Sequence, residues 1–230
     1  MDQQQQKYYP TNLDIRNRDC LVVGGGAVGA RKASTLIDCG ARVTVVSPEA
    51  VAEVDRLAET GALVLEKRPF TPSDLDGRFL VIGATDDEAL NRQIRAEAEK
   101  RQLLCNIADF PEGCNFILPA VVRRGDLIIA ISTSGNSPAF AKQLRKQIEH
   151  EFGPEYDLFL RLMGAIRSRL LLQEHAPEEH KPLFEALIEG GLLEKIRQGD
   201  PEPVDRLLAG VLGSGFRYRE LIAEGDLEGG

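Results

Sequence analysis

The feature that most constrains the fold is a glycine-rich turn, GGGAVG at residues 24–29, which follows a short apolar run at residues 20–24. Gly24, Gly26 and Gly29 match the pattern G-x-G-x-x-G. The first glycine of such a turn permits the tight bend, the second lets a pyrophosphate approach the backbone, and the third lets the helix pack on the strand. The pattern alone is weak, but here it joins an apolar strand to a helical pattern, which is the context that a dinucleotide site requires.

Apolar runs and helical patterns alternate from this turn to Asp109. The runs predict strands at 20–24, 41–48, 62–70, 78–85 and 103–109, and the helical patterns predict helices at 27–39, 51–60 and 86–102. Strands that alternate with helices indicate βαβ units and a doubly wound parallel sheet. We therefore expect an α/β fold of the Rossmann type.

The pattern changes after Asp109. Residues 115–135 predict two strands around an Arg-Gly-Asp turn, a helix is expected from about 139 to 151, and only helices are expected from 153 onward. Breaks between those helices are expected at Pro177, Pro182, Gly190-Gly191 and Pro201. The expected layout is a Rossmann domain at 1–113, a hairpin-plus-helix segment at 114–150 and a helical domain at 151–230.

Composition excludes several classes of function. The net charge of −8 disfavours bulk binding of nucleic acid, which needs a basic footprint. No stretch approaches the roughly 20 apolar residues of a membrane helix, and the polar N-terminus lacks the apolar region of a secretory signal. These observations favour the cytoplasm. The four cysteines form no C-x-x-C pair and the three histidines fall late in the chain, so no structural metal site is expected.

Basic residues are concentrated beside the motifs of this acidic chain. A solvated helix surface explains any one of them, whereas together they indicate an anionic ligand. They are Arg31, Lys32, Arg123, Arg124, Lys142, Arg145 and Lys146.

The second predicted strand bears on the choice of cofactor. An acidic residue that binds the ribose is expected about 20 residues after the glycine turn, and this strand ends at Ser47-Pro48-Glu49. No arginine stands there to meet a 2′-phosphate, so NAD is favoured over NADP.

The residues after the fourth strand are expected on the other side of the cofactor crevice. They are Ala84 and Thr85, and Thr85 or Asp86 also suits a helix N-cap. The predicted cofactor-binding residues are Gly24, Gly26, Ala27, Val28, Gly29, Ser47, Pro48, Glu49, Ala84 and Thr85.

Four stretches resemble the precorrin-2 dehydrogenase family of siroheme biosynthesis. They contain "CLVVGGGAVGARK", "GATDDEALNRQI", "CNIADFPEGCNFILPA" and "IAISTSGNSPAFAKQLR", in that order. The resemblance covers roughly residues 8–150 and is much looser over the helical tail. The family includes stand-alone dehydrogenases, bifunctional dehydrogenase–ferrochelatases and the N-terminal module of siroheme synthase. A siroheme synthase would continue into a methyltransferase domain, for which 230 residues leave no room.

The resemblance implies NAD-dependent oxidation of precorrin-2 to sirohydrochlorin. It leaves open whether Fe²⁺ is then inserted to give siroheme. It also implies a homodimer in which residues 114–150 form the dimerisation and substrate segment. Precorrin-2 bears several carboxylate arms, which fits the basic residues noted above. The competing interpretation is a regulatory NAD-binding module without turnover.

The resemblance also assigns a role to one residue after the fifth strand, and its neighbours in the sequence suggest further contacts. In the family, the aspartate in the matching N-x-x-D-x-P context, here Asp109, is the proposed acid–base group. Asn106 and Asn115 flank it in sequence and are expected to orient it. The other predicted substrate-binding residues form a hydroxyl-rich stretch that also suits a helix N-cap at Ser137 followed by Pro138; they are Ser132, Thr133, Ser134, Asn136 and Ser137.

Overall fold

The computed structural model describes residues 8–108, 110, 113–172 and 177–228. The chain divides into two compact units, Met1–Leu118 and Pro119–Gly230. Each unit has a hydrophobic core of its own. The division into three parts that the sequence predicts at 113 and 150 stays a prediction.

The first unit is built on a five-stranded parallel sheet in the order β3-β2-β1-β4-β5. Helices α1, α2 and α3 connect the strands. The chain moves outward from β1 to β3 and then crosses back to β4, so the sheet has its switch point between β1 and β4. The Rossmann-type fold is therefore confirmed. The strands are β1 (Asp19–Gly25), β2 (Arg42–Ala50), β3 (Val64–Glu66), β4 (Leu80–Gly83) and β5 (Leu104–Ile107), and the helices are α1 (Ala27–Asp38), α2 (Ala52–Glu59) and α3 (Glu88–Lys100).

Two hydrophobic clusters cover the two faces of this sheet. Successive side chains of a strand point to opposite faces, and β1 shows this directly. Cys20 and Val22 are buried in the cluster that holds the apolar residues of α1 and α2. Leu21 and Val23 are buried in the cluster that holds Ile94 and Ala98 of α3 together with Leu75. A strand buried on both faces fixes the point at which the glycine turn leaves the sheet.

The ends of several elements differ from the sequence prediction, most clearly in β2, β3 and α3. Strand β2 does not stop at Pro48 but continues to Ala50, which pairs with Gly25 after a bulge. The proline lies at the irregularity because it has no N–H to give to a ladder. Helix α3 is capped by Asp87 rather than by Thr85 or Asp86, since the Asp87 carboxylate accepts from Ala89 N at 2.8 Å.

Strand β3 is much shorter than the predicted run at 62–70. After β3 the chain turns into a 3-10 helix, Pro72–Leu75, which begins with a capping box between Thr71 and Asp74. The sequence carries this signal as Thr-Pro-Ser-Asp, a capping residue followed by proline and an acid three positions on. The strand prediction was wrong beyond Glu66 because the local capping interactions prevail over the apolar pattern.

The second unit begins with the predicted hairpin, β6 (Ala120–Arg124) and β7 (Leu127–Ile131), which pair antiparallel. Gly125 has φ +56 in the turn, a conformation that glycine adopts without steric cost. Helix α4 (Pro138–Glu151) follows. The Arg124 guanidinium donates to Phe152 O at 2.7 Å and to Glu149 O at 2.8 Å. This basic residue therefore caps the carboxyl end of α4.

The described part of the second unit continues with five further helices. Pro182 lies inside α6 and does not end it, so that predicted break was wrong. Leu187, on the same helix, is fully buried in the helical core, and such packing outweighs the hydrogen bond that proline removes. Among the described residues, no helix combines the length and the apolar character needed to cross a bilayer. The helices are α5 (Glu155–Leu172), α6 (Pro177–Glu189), α7 (Leu192–Arg197), α8 (Pro201–Leu212) and α9 (Tyr218–Glu228).

Candidate cofactor and substrate site

The three glycines of the motif differ in what surrounds them. Gly24 has φ +111, and a Cβ on it would lie 2.3 Å from Ala84 O. A Cβ on Gly29 would lie 2.0 Å from Gly24 O. Among the described residues, by contrast, no atom lies within 4 Å of a Cβ placed on Gly26. Gly24 and Gly29 are thus needed for packing, whereas Gly26 faces open space where a ligand can approach.

The amino end of α1 borders that open space. Gly26 is its N-cap and has no side chain with which to cap the helix, and the first turn contains no acidic residue. The first N–H groups of a helix lack partners within the helix, and its dipole places partial positive charge at this end. A phosphate is the ligand that such an end favours.

A cavity of about 760 Å³ lies over the glycine turn. Every predicted cofactor residue except Gly29 and Glu49 lines it. The cavity has the glycines, the open helix end and the size that a dinucleotide requires, so the residues present fit NAD. Residues that sequence reasoning missed also line it: Val23, Gly25, Val46, Pro69, Phe70, Asp86, Asp87, Ala89, Leu90 and Gln93.

The end of β2 borders the cavity through Ser47 and Pro48. Ser47 is buried, and its hydroxyl donates to Glu49 O at 2.6 Å. Glu49 is exposed, and its contact with a ribose stays a prediction. Arg42 stands at the start of β2, at the other end of the strand, and pairs with Asp19 at 2.6 Å. No arginine of β2 is therefore placed to meet a 2′-phosphate beside this part of the cavity, which favours NAD over NADP.

The opposite wall is fixed by a buried amide. Asn91 of α3 donates from Nδ2 to Thr85 O at 2.8 Å, and its Oδ1 accepts from the Thr85 hydroxyl at 2.9 Å. Asn91 is buried, and a buried amide that satisfies its neighbours in this way holds the turn in one conformation. Sequence reasoning missed Asn91; the signal was a polar residue between Leu90 and Ile94 on the core-facing side of α3.

A second cavity of about 330 Å³ adjoins the first at the carboxyl ends of β4 and β5. The two share Val28, Ala84, Thr85 and Asp86. The second is further lined by Glu88, Asn91, Arg92, Ala108 and Phe110. Because ligands of open α/β sheets bind outside the carboxyl ends of the strands, this cavity is placed to receive a molecule next to the cofactor.

The segment after β5 carries the predicted acid–base residue. Asp109 lies outside the described residues. Asn115 donates from Nδ2 to Leu103 O at 2.7 Å and accepts from Cys105 N at 2.8 Å, so both ends of its amide bind the β5 backbone. Asn106 is buried and donates to Phe116 O at 3.1 Å. Both asparagines have structural partners, and a substrate contact by either stays a prediction.

Two cysteines of this region are neutral thiols. Burial raises the pKa of Cys105 to about 12, and burial also raises the pKa of Cys114. The Cys114 thiol lies 3.2 Å from Ile107 N, which donates to it. A thiol with a raised pKa is a poor nucleophile at neutral pH, so these cysteines serve packing and loop structure.

The hydroxyl-rich stretch lies in the second unit, between β7 and α4. Ser137 caps α4 by accepting from Phe140 N at 3.2 Å, as predicted, with Pro138 as the first helical residue. Thr133 Oγ1 accepts from Ser137 N at 3.1 Å, and Ser132 Oγ accepts from Ser134 N at 3.1 Å. The structure brings these residues together in one internally bonded loop. Their contact with substrate, and that of Asn136, stays a prediction.

A parallel sheet with an open cavity over a glycine turn at its switch point defines a dinucleotide-binding Rossmann protein. Residues 11–120 match the family described as NAD(P)-binding, and residues 124–151 match the sirohaem biosynthesis protein central family. The solved structure of SirC, precorrin-2 dehydrogenase, superimposes with a TM-score of 0.66 at 26% identity and covers 96% of this chain and 100% of its own.

Curated relatives extend the comparison. The siroheme synthase of Methylococcus capsulatus is 36% identical over 201 residues, which is 87% of this chain and 42% of that protein. The siroheme synthase of Escherichia coli O139:H28 is 37% identical over 180 residues, which is 78% of this chain and 39% of that protein. This chain thus spans about two fifths of these relatives. It is similar to a part of the siroheme synthases and to the whole of SirC, precorrin-2 dehydrogenase, and its cofactor is NAD.

The contrast between the glycines gives a direct test of the cofactor site. Gly26→Ala is expected to leave the melting temperature unchanged, because the methyl group enters open space. It should weaken NAD binding about tenfold or more, equivalent to about 1.4 kcal/mol, because that space is where the pyrophosphate approaches. Gly29→Ala should instead lower the melting temperature. Isothermal calorimetry and thermal denaturation check both variants, and unchanged NAD affinity in Gly26→Ala would contradict the assignment.

Proposed function

We propose that this chain oxidises precorrin-2 to sirohydrochlorin with NAD⁺. The observation that carries the proposal is the pair of adjoining cavities at the carboxyl edge of the sheet, one fitted to the cofactor and one open beside it. The alignment with SirC, precorrin-2 dehydrogenase, over the full length of that protein supports the choice of substrate.

The proposed reaction removes a hydride and a proton from the substrate. NAD⁺, when bound, supplies the acceptor for the hydride, so the chain has to hold the two rings in register and accept the proton. Asp109 is the proposed base. In sequence it follows the last residue of β5 by two positions, and substrates of open α/β sheets bind outside the carboxyl ends of the strands.

The test is anaerobic incubation of the purified chain with precorrin-2 and NAD⁺, followed by absorbance. A sirohydrochlorin spectrum that requires NAD⁺ is the expected result. Asp109→Asn should lower the rate about 100-fold or more, as loss of a positioned base does, while the dissociation constant of NAD stays at the wild-type value. NAD binding without any spectral change in the wild type would favour the regulatory module instead.

Insertion of Fe²⁺ is the finer part of the proposal, and the same sample tests it. After oxidation is complete, Fe²⁺ is added, and the metal-dependent spectral change is compared with that of a control without protein. Asp109 is the proposed acceptor of the pyrrole protons. A change no faster than in the control would limit the chain to dehydrogenation. The cytoplasmic location stays a prediction.

Arg92 is a proposed contact for a substrate carboxylate. Among the described residues that line the second cavity, it is the only one with a basic side chain. It pairs with Glu88 at 3.1 Å, with 62% of the Arg92 side chain exposed. Such surface pairs contribute about 0–1 kcal/mol. A carboxylate of the substrate can therefore replace Glu88 as the partner of Arg92 at little cost.

Arg92→Gln is accordingly expected to raise KM for precorrin-2 about threefold to tenfold, the loss of one charge-assisted contact. The dissociation constant of NAD should not change. Arg56→Gln is the matched control, because Arg56 pairs with Glu53 on α2 with 59% of its side chain exposed and lines neither cavity. Steady-state kinetics measure KM for precorrin-2 in both variants, and equal values would exclude Arg92 from substrate binding.

A homodimer is proposed from the hairpin of the second unit. One face of β6 and β7 packs inward, with Val122 and Ile131 buried. The other face exposes Val121, Ile128 and Ala130 to solvent, with Arg123 opposite Ile128. A two-stranded sheet is only marginally stable in water unless its faces are packed. A second copy of the chain is the proposed partner of this largely apolar face.

Ile128→Glu is therefore expected to convert the dimer into a monomer, because it places a charge on a surface that the second copy would bury. Ile128 is 40% exposed in the single chain, so the substitution should not prevent folding. Val64→Glu, on the exposed side of β3, serves as the control. Light scattering coupled to size-exclusion chromatography measures the masses. A monomeric wild type, or a dimer that survives Ile128→Glu, would rule out this interface.

A further inference from the structure

The loop that follows β3 forms one wall of the cofactor cavity. Pro69 and Phe70 line the cavity, although the apolar pattern of this stretch predicts a strand. Strand β3 is the edge strand beside β2. In Rossmann domains the ribose lies at the end of the second strand, so the loop beyond it stands at the adenine end of the cofactor, on the side away from β4.

Phe70 is fixed in this wall. Its ring is half-buried and packs against the cluster that includes Leu75 and Val46. The part of the side chain that does not enter this cluster borders the cavity beside Pro69. An aromatic ring and a proline together give a rigid apolar surface, and purine bases stack on aromatic rings.

An ion pair holds the loop in place. Arg68 donates from Nη1 and Nη2 to the Asp74 carboxylate at 2.9 and 2.6 Å, a bidentate contact. Nη1 also donates to Pro69 O at 3.1 Å, so the guanidinium binds the wall itself. Glu66, at the end of β3, accepts from the same guanidinium. Arg68 thus joins the strand before the loop, the loop and the turn after it.

Asp74 is the buried member of this pair. Its side chain is 8% exposed, and it accepts from Thr71 N at 2.8 Å. The Arg68 guanidinium holds the pKa of Asp74 below its usual range, so the carboxylate is charged at neutral pH. A partly buried bidentate pair restricts the backbone between its members more than a surface pair does. The loop is therefore ordered before any ligand binds.

We propose that Pro69 and Phe70 receive the adenine ring of NAD, and that the Arg68–Asp74 ion pair is the positioning pair that holds this wall ready. The proposal rests on the binding of NAD but not on the oxidation of precorrin-2. Arg68 and Asp74 act through the loop, whereas Phe70 contacts the base. A wall ordered in advance strengthens binding because less conformational freedom is lost when the ligand arrives.

The test is calorimetric titration of the purified full chain with ADP-ribose, which carries the adenine half of NAD without nicotinamide. Phe70→Leu keeps most of the side-chain volume that packs in the core but removes the aromatic face. We expect its dissociation constant for ADP-ribose to rise about tenfold, equivalent to about 1.4 kcal/mol. Phe79→Leu is the matched control, since Phe79 is also half-buried but packs in the other cluster.

The positioning pair has its own readout. Asp74→Asn and Arg68→Gln should each weaken ADP-ribose binding at least threefold. Arg68→Lys keeps the charge but loses the bidentate contact, so its affinity for ADP-ribose should lie between those of Arg68→Gln and the wild type. In the enzyme assay the change should fall on KM for NAD rather than on kcat. A purely structural pair would lower the melting temperature without this order of affinities.

Several results would overturn the proposal. If the ADP-ribose affinities of Phe70→Leu and Phe79→Leu agree within error, the adenine ring does not bind at this wall. Wild-type affinity in Asp74→Asn would remove the positioning role, even if Arg68→Gln fails to fold. If the wild-type chain does not bind ADP-ribose, the cavity over the glycine turn is not a cofactor site and the proposal fails. Because no titration contains precorrin-2, failure of the dehydrogenase assay leaves the proposal standing.

Discussion

The close packing of backbone around the glycine turn is the constraint on which the cofactor site depends. The end of β4 touches Gly24 through Ala84 O, the end of β2 touches Gly25 through Glu49 O, and α1 touches Gly24 through Gly29. At each contact a Cβ on the glycine would come within 2.5 Å of a carbonyl oxygen. The three elements converge only because no side chain separates them. Gly26, at the centre of this convergence, is left facing the cavity.

Side-chain hydrogen bonds to neighbouring groups then fix the walls of the cavity. Asn91 bonds Thr85 on the β4 side, the Ser47 hydroxyl bonds the backbone at the end of β2, and Arg68 bonds the loop after β3. Each uses a partly or fully buried polar group whose partner is local. Such groups are costly to leave unsatisfied, so each holds its segment in one conformation. The cavity is consequently shaped before the cofactor arrives.

The sequence predicts the parts of this site that depend on short segments. The residues that line the cavity as expected lie at or shortly after strand ends; they are Gly24, Gly26, Ala27, Val28, Ser47, Pro48, Ala84 and Thr85. Phe70 was missed because its place depends on β3 lying beside β2, a pairing that no local pattern reveals. Asn115 shows the same limit. Its amide binds the β5 backbone, a contact that its proximity to Asp109 in the sequence does not reveal, and its role at the substrate stays a prediction.

The pairing of arginines with carboxylates determines how an anionic ligand could bind to this acidic chain. Many of the described arginines are already paired with carboxylates, among them Arg42, Arg68 and Arg92. A carboxylate of a ligand that binds at one of these arginines would therefore have to replace a carboxylate of the chain. Arg68 is not expected to exchange its partner, because the Asp74 side chain is buried and the contact between them is bidentate. Arg92 is free to exchange its partner, because its ion pair with Glu88 is exposed. Burial of the carboxylate is thus the difference between the two ion pairs. The buried pair holds a wall of the cofactor cavity, whereas the exposed pair beside the second cavity is the one proposed to recognise the substrate.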